Sequence, residues 1–208
     1  PFHGPGLLRV GWLRSMRREC RSGASAMGPE DSRGKSACPT GLRQTLVILA
    51  SPLFYIADPM CSWCWGFRAV RDQVRAALPD GTQVRYVMGG LAPDSAEPMD
   101  EDTRRFVQAA WKAVEETTGA SFNWEFWEAC QPRRSTYPAC RAVLVAESLR
   151  AGTGELIFDR IQEAYYSEAR NPSDTATLVE LGRELGLAGD DFERALTSPE
   201  AQALLQAD

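Results

Sequence analysis

Leu53-Phe54-Tyr55-Ile56-Ala57-Asp58-Pro59-Met60-Cys61-Ser62-Trp63-Cys64 is the stretch that decides how this chain folds. Its first five residues form a short aromatic and β-branched run that stops at Asp-Pro, which suits a strand ended by a turn. Immediately after the second cysteine, Phe67, Val70, Val74 and Leu78 recur at spacings of three, four and four, one apolar face of a helix closed by Pro79-Asp80-Gly81. Val84, Tyr86 and Met88 then alternate with Arg85 and Val87 as a second strand ending at Gly89-Gly90. Strand, helix and strand within so short a span predict a right-handed parallel βαβ unit. The apolar run Leu46 to Ile56 reads as a buried strand leading into it.

Beyond this unit the strand signals cease. Helices are expected over 100–118, over Phe122 to Cys130 as a short aromatic-rich helix, and over Ala139 to Leu149, Glu155 to Glu168, Asp174 to Leu185 and Asp191 to Leu196. Asp190 with Glu193 forms a capping-box-like start, Gly186 marks a helix end, and Ser198-Pro199 opens a last helix with proline at its preferred first position. The fold class expected is α/β, mostly α by content. Residues 47–95 form the βαβ unit and 96–208 a helical domain.

Charge separates a third region. Residues 1–46 hold eight basic side chains (Arg9, Arg14, Arg17, Arg18, Arg21, Arg33, Lys35 and Arg43) against Glu19, Glu30 and Asp31, whereas the remainder carries a net −10. Residues 1–46 are therefore expected to be a basic leader outside the folded domain; its apolar run is interrupted by Arg9, unlike a secretory signal. The acidic body has no clustered basic stripe, which argues against nucleic acid, and no run approaches the length of a membrane span. The single histidine is His3, so histidine-dependent triads and His-Glu-x-x-His zinc sites are excluded from the body of the chain.

The chemistry left is concentrated in Cys61 and Cys64. Two intervening residues place both thiols in one helical turn, the first at the helix start, where unsatisfied N–H groups favour a thiolate. Cys61 is then the expected nucleophile towards a disulfide and Cys64 the thiol that resolves the mixed disulfide. A zinc site would need a further close pair, and Cys20, Cys38, Cys130 and Cys140 are scattered; haem attachment would need histidine where Trp65 stands. Cys130 and Cys140 lie in apolar helical surroundings and read first as packing residues, with an auxiliary redox role as the alternative. Trp63, between the two cysteines, is expected to shape a substrate surface or to shield Cys64, with Pro59 and Ser62 as its neighbours on that surface.

Asp58-Pro59-Met60-Cys61-Ser62-Trp63-Cys64-Trp65-Gly66-Phe67, Met88-Gly89-Gly90-Leu91, Trp111 with Thr118-Gly119, Pro138-Ala139-Cys140-Arg141-Ala142-Val143 and Gln162-Glu163-Ala164-Tyr165-Tyr166 together resemble the bacterial cytoplasmic protein-disulfide isomerases of the DsbA family, related to FrnE-type proteins. The resemblance runs from about residue 53 to the end. It implies a thioredoxin-like fold with a large helical (DsbA-type) insertion, and thiol-disulfide oxidoreductase or isomerase activity centred on Cys61 and Cys64.

In such proteins the chain returns from the insertion to add further strands, the first preceded by a cis-proline loop. No such segment is present up to Asp208, and Pro132, Pro138 and Pro172 lie in helical connectors. The expectation is a fragment whose C-terminal strands are absent and whose strand edges and apolar faces lack a partner layer. A second function on the same fold is a glutathione-dependent isomerase or transferase of the kappa or hydroxychromene-carboxylate isomerase type, in which one thiol suffices. The implied substrates are disulfide-containing proteins or low-molecular-weight thiols, with glutathione a candidate exchange partner and no cofactor beyond the dithiol itself. A cytoplasmic location is expected, where the resting pair is a dithiol.

Overall fold

β1 (Leu53–Ala57) and β2 (Val84–Met88) occupy the two runs that the sequence marks as strands, and they pair in parallel with Leu53 opposite Val84 and Ala57 opposite Met88. The computed structural model describes residues 51–208; the expected leader lies outside these residues. The register brings both C-terminal strand ends level, and the Gly89 N–H donates to the Ala57 carbonyl at 2.7 Å. The segments that follow the strands therefore leave side by side. α1 (Ser62–Ala77) makes the crossover between them.

Seven helices follow: α2 (Glu101–Thr118), α3 (Phe126–Ala129), α4 (Tyr137–Leu149), α5 (Thr153–Tyr166), α6 (Thr175–Glu184), α7 (Gly189–Leu196) and α8 (Pro199–Ala207). Asp100 caps α2 by accepting from the Thr103 N–H at 2.7 Å, and Ser198 caps α8 by accepting from the Ala201 N–H at 3.3 Å. The capping box expected at Asp190 does not form. After Gly186, whose φ of +77° ends the preceding turn, α7 starts at Gly189 with Ala188 as its N-cap. Asp190 thus sits inside the first turn, where its charge faces the positive end of the helix.

The core is centred on the helices. Trp111 is fully buried, with the rings of Phe122 and Trp127 at 4.9 Å and those of Tyr165 and Tyr166 at 5.4 Å. Such pairs each add about 0.5–1.5 kcal/mol beyond simple burial. α4 presents Ala139, Ala142, Val143 and Ala146 to the interior and packs against α5, α7 and α8.

The sheet differs from the buried strand that its sequence suggests. Phe54 and Ile56, which share one face of β1, are exposed, Ile56 at 71%, because a two-stranded sheet has no second layer over this face among the described residues. Phe67, Val70 and Val74 on α1 are also exposed.

α1 is joined to α5 by a ladder of ion pairs. Arg68 meets Glu163 at 2.7 Å, Arg71 meets Asp159 at 2.5 Å, and Arg75 meets Glu155. The residue numbers rise along α1 as they fall along α5, so the two helices run in opposite directions. Arg71 is itself buried and also bonds Asp72, which leaves its guanidinium well supplied with acceptors.

Candidate active site

Asp58 and Pro59 end β1 and turn the chain into α1. The Asp58 carboxylate is 2% exposed and accepts from the Met60 N–H at 2.7 Å, the Leu91 N–H at 2.9 Å and the Thr136 hydroxyl at 2.6 Å. The Cys140 thiol also points at it, at 3.5 Å. One buried carboxylate therefore ties the segments after β1 and β2 to the start of α4, with its charge offset by several donors. The Asp58 carbonyl accepts from the Cys61 N–H at 3.0 Å, closing the turn that delivers Cys61 to the helix.

Cys61 is the N-cap of α1. Its backbone is extended (φ −84°, ψ 115°), and its carbonyl accepts the first helical bond, from the Trp65 N–H at 3.1 Å. The Cys61 thiol is brought down to about 6, chiefly by the neighbouring Cys64 thiol and by the first-turn N–H groups of Cys64 and Trp63, which together outweigh burial and the Asp58 charge. Cys64 is pushed the other way, chiefly by Cys61 and by burial. The two thiols are thus shifted in opposite directions.

Close packing holds this turn in place. A side chain at Gly66 would meet Val114 Cγ1 at 2.6 Å and Thr118 Oγ1 at 2.9 Å, so α2 presses directly on α1 two residues beyond Cys64. The Trp65 indole donates to the Ser121 carbonyl at 3.0 Å and its ring stacks on Tyr166 at 5.5 Å. Next to α1 a mostly apolar cavity of about 570 Å³ is walled by Tyr55, Trp63, Cys64, Phe67 and Thr118.

A DSBA-like thioredoxin domain model matches residues 54–208. The chain belongs to this family. Cytosolic disulfide reductase DsbM from Pseudomonas aeruginosa is 29% identical, with 76% of each chain covered and a TM-score of 0.62; the same protein has also been solved with GSH. A Nitrosomonas europaea protein, provisionally described as a protein disulfide isomerase, is 29% identical over 76% of each chain with a TM-score of 0.64. ClpXP adapter protein SpxH from Bacillus subtilis strain 168 is 25% identical over 158 residues, 75% of this chain. The chain spans about half (52%) of the length of that curated relative. The fold is accordingly DSBA-like: a small thioredoxin-type sheet with a dominant helical part.

Within this DSBA-like site the structure brings Cys61 and Cys64 together, as free thiols. Trp63 is half exposed at the cavity rim, whereas Pro59 and Ser62, its expected companions on a substrate surface, are buried. Cys140 is fully buried and its thiol is pushed up, chiefly by burial; Cys130 donates to the Ala169 carbonyl at 3.1 Å and is likewise raised by burial. Asp58 and Thr136 escaped sequence reasoning. Asp before Pro is a common strand stop, and nothing local tells that its carboxylate turns inward. No group of three potential metal-binding side chains occurs among the described residues, and no helix among them is long and apolar enough to cross a membrane.

Proposed function

We propose that this chain exchanges disulfides with proteins and low-molecular-weight thiols through Cys61 and Cys64. The observation that carries the reading is Cys61 at the N-cap of α1 with Cys64 one turn further on, both thiols free and the Cys61 thiol lowered to about 6. Cys61 attacks a substrate disulfide and Cys64 displaces the substrate from the resulting mixed disulfide. The dithiol is the redox group, with no further cofactor. Glutathione is the proposed small exchange partner, a reading supported by the DsbM neighbour solved with GSH. The cytosolic description of that neighbour supports a cytoplasmic setting, where reduction or isomerisation is the favoured direction. The one-thiol glutathione-dependent isomerase is not favoured, because a second free thiol, Cys64, stands in the same helical turn and is the largest influence lowering the Cys61 thiol.

Equilibration in glutathione buffers of graded ratio, followed by acid quenching and mass determination, tests the reading. The expected result is a single two-electron transition that converts the pair to a Cys61–Cys64 disulfide. In the Cys64→Ser variant the adduct should stop at one glutathione on Cys61. Absence of both the intramolecular disulfide and the trapped adduct would sink it.

A further inference from the structure

Tyr55 is the middle residue of β1, and three rings fix its position: Phe67 stacks on it at 6.3 Å, while Tyr86 at 5.2 Å and Phe158 at 6.3 Å meet it edge-on. Its hydroxyl is buried and makes no well-formed hydrogen bond among the described residues. The cross-strand neighbour Tyr86 is different, since its hydroxyl donates to Glu155 at 3.3 Å. Tyr55 and Cys64 instead wall the same cavity next to α1, and each raises or lowers the other's ionisation. A buried O–H without an acceptor is unfavourable, and a thiolate is a strong acceptor.

We propose that the Tyr55 hydroxyl is a catalytic hydrogen-bond donor that stabilises the Cys64 thiolate as it forms in the resolving step. The proposal rests on the dithiol reading above. In that step Cys64 loses its proton and its sulfur attacks Cys61 Sγ. The Cys61–Cys64 bond forms and the Cys61–substrate bond breaks, with the electron pair departing on the substrate sulfur. That sulfur takes up a proton from solvent, so one proton leaves Cys64 and one is gained by the substrate. The protein dithiol is oxidised and the substrate disulfide reduced. Tyr55 keeps its own proton throughout, consistent with a phenol that burial and Cys64 hold well above its usual range.

The groups facing Cys64 are few. Cys61 shares its helix turn, Asp58 and Tyr55 approach from β1 and the segment after it, and Tyr166 faces it from α5; Arg71 faces the Tyr55 phenol. Cys61 and burial oppose ionisation of Cys64, while the Asp58 backbone and the Tyr55 hydroxyl favour it. Tyr55 and Tyr166 both bring buried, unpartnered hydroxyls to this neighbourhood, and of the two it is Tyr55 that favours ionisation of Cys64 as a hydrogen-bond donor and shares the cavity wall with it.

The test compares Tyr55 with Tyr55→Phe in a Cys61→Ser background, where Cys64 is titrated by its alkylation rate against pH. The midpoint should move upward by about one pH unit, a tenfold slowing at fixed pH below it. Tyr86→Phe should leave it in place. In the protein with both cysteines, rapid mixing with oxidised glutathione should show the first attack unchanged and the mixed disulfide living about ten times longer in Tyr55→Phe. An unchanged Cys64 midpoint overturns the proposal. If no mixed disulfide forms in the unsubstituted protein, the dithiol function itself falls, while the Cys64 titration still decides the role of Tyr55. Near-ultraviolet circular dichroism verifies that Tyr55→Phe retains the aromatic packing.

Discussion

Cys61 is the N-cap of α1, and Cys140 lies in the first turns of α4, whose N-cap is Thr136; both sulfurs are close to Asp58. Burial acts against ionisation at both, yet the Cys61 thiol is brought down to about 6 and the Cys140 thiol is pushed up. The difference lies in what stands against burial: at Cys140 burial is the largest influence and the Asp58 charge adds to it, whereas at Cys61 the neighbouring Cys64 outweighs burial. Cys61 has Cys64 and the first-turn N–H groups beside it, all lowering its thiol, whereas the Cys140 thiol donates to a carboxylate and its backbone N–H is already used by the Thr136 carbonyl at 3.1 Å. A helix start therefore confers reactivity only on a sulfur that lies beyond the last satisfied N–H and can be reached from solvent.

Alkylation gives the largest contrast. Cys61 should react with iodoacetamide at a rate that rises with pH around a midpoint of about 6 and then levels off. Cys140 should be modified only on the timescale of unfolding. Peptide mapping after timed quenching checks both, and comparable rates at the two sites would break the comparison.

Asp58 links the two environments, so Asp58→Asn sharpens it. The amide presents donors to the Thr136 hydroxyl and the Leu91 N–H, at an expected cost of about 1–3 kcal/mol in urea unfolding. Removing the charge should also lower the Cys61 midpoint, since the Asp58 carboxylate raises it. A rise in that midpoint would contradict the electrostatic assignment.

The smallest effect is in the pH dependence of stability. The folded pKa of Cys61 lies below its unfolded value, so the thiolate's contribution is complete above the unfolded pKa and is lost as pH falls through about 6. Reduced protein should therefore gain stability over the Cys61→Ser variant between pH 6 and 8. At a partly exposed sulfur the gain is on the order of 1 kcal/mol after solvent screening. Parallel stability curves for the two proteins would remove this contribution.

Much of the architecture was legible because it depends on local periodicity. β1 and β2 fall where the apolar pattern places them, and α2, α4, α5 and α6 lie within a few residues of their expected limits. Cys61 was legible for the same reason, since a strand, a turn and a helical face bracket it. Burial was not legible: Ile56 and Val70 have core-like sequence settings, but their exposure depends on which layer covers them. Asp58 and Tyr55 were missed because their roles depend on groups 33 to 78 positions away for Asp58, and on a sulfur across the strand-helix turn for Tyr55.

The ladder between α1 and α5 also works as an index mark. Three arginines on α1 meet three carboxylates on α5 at matching intervals, and sliding either helix by one turn would leave an arginine at one end and a carboxylate at the other without a mate. Because α1 carries the cysteine pair and α5 carries Tyr166, this alignment sets the height of the sulfurs against the aromatic floor. Changing the length of a side chain in the ladder would act as a tuning screw on the Cys61 and Cys64 thiols without touching either cysteine.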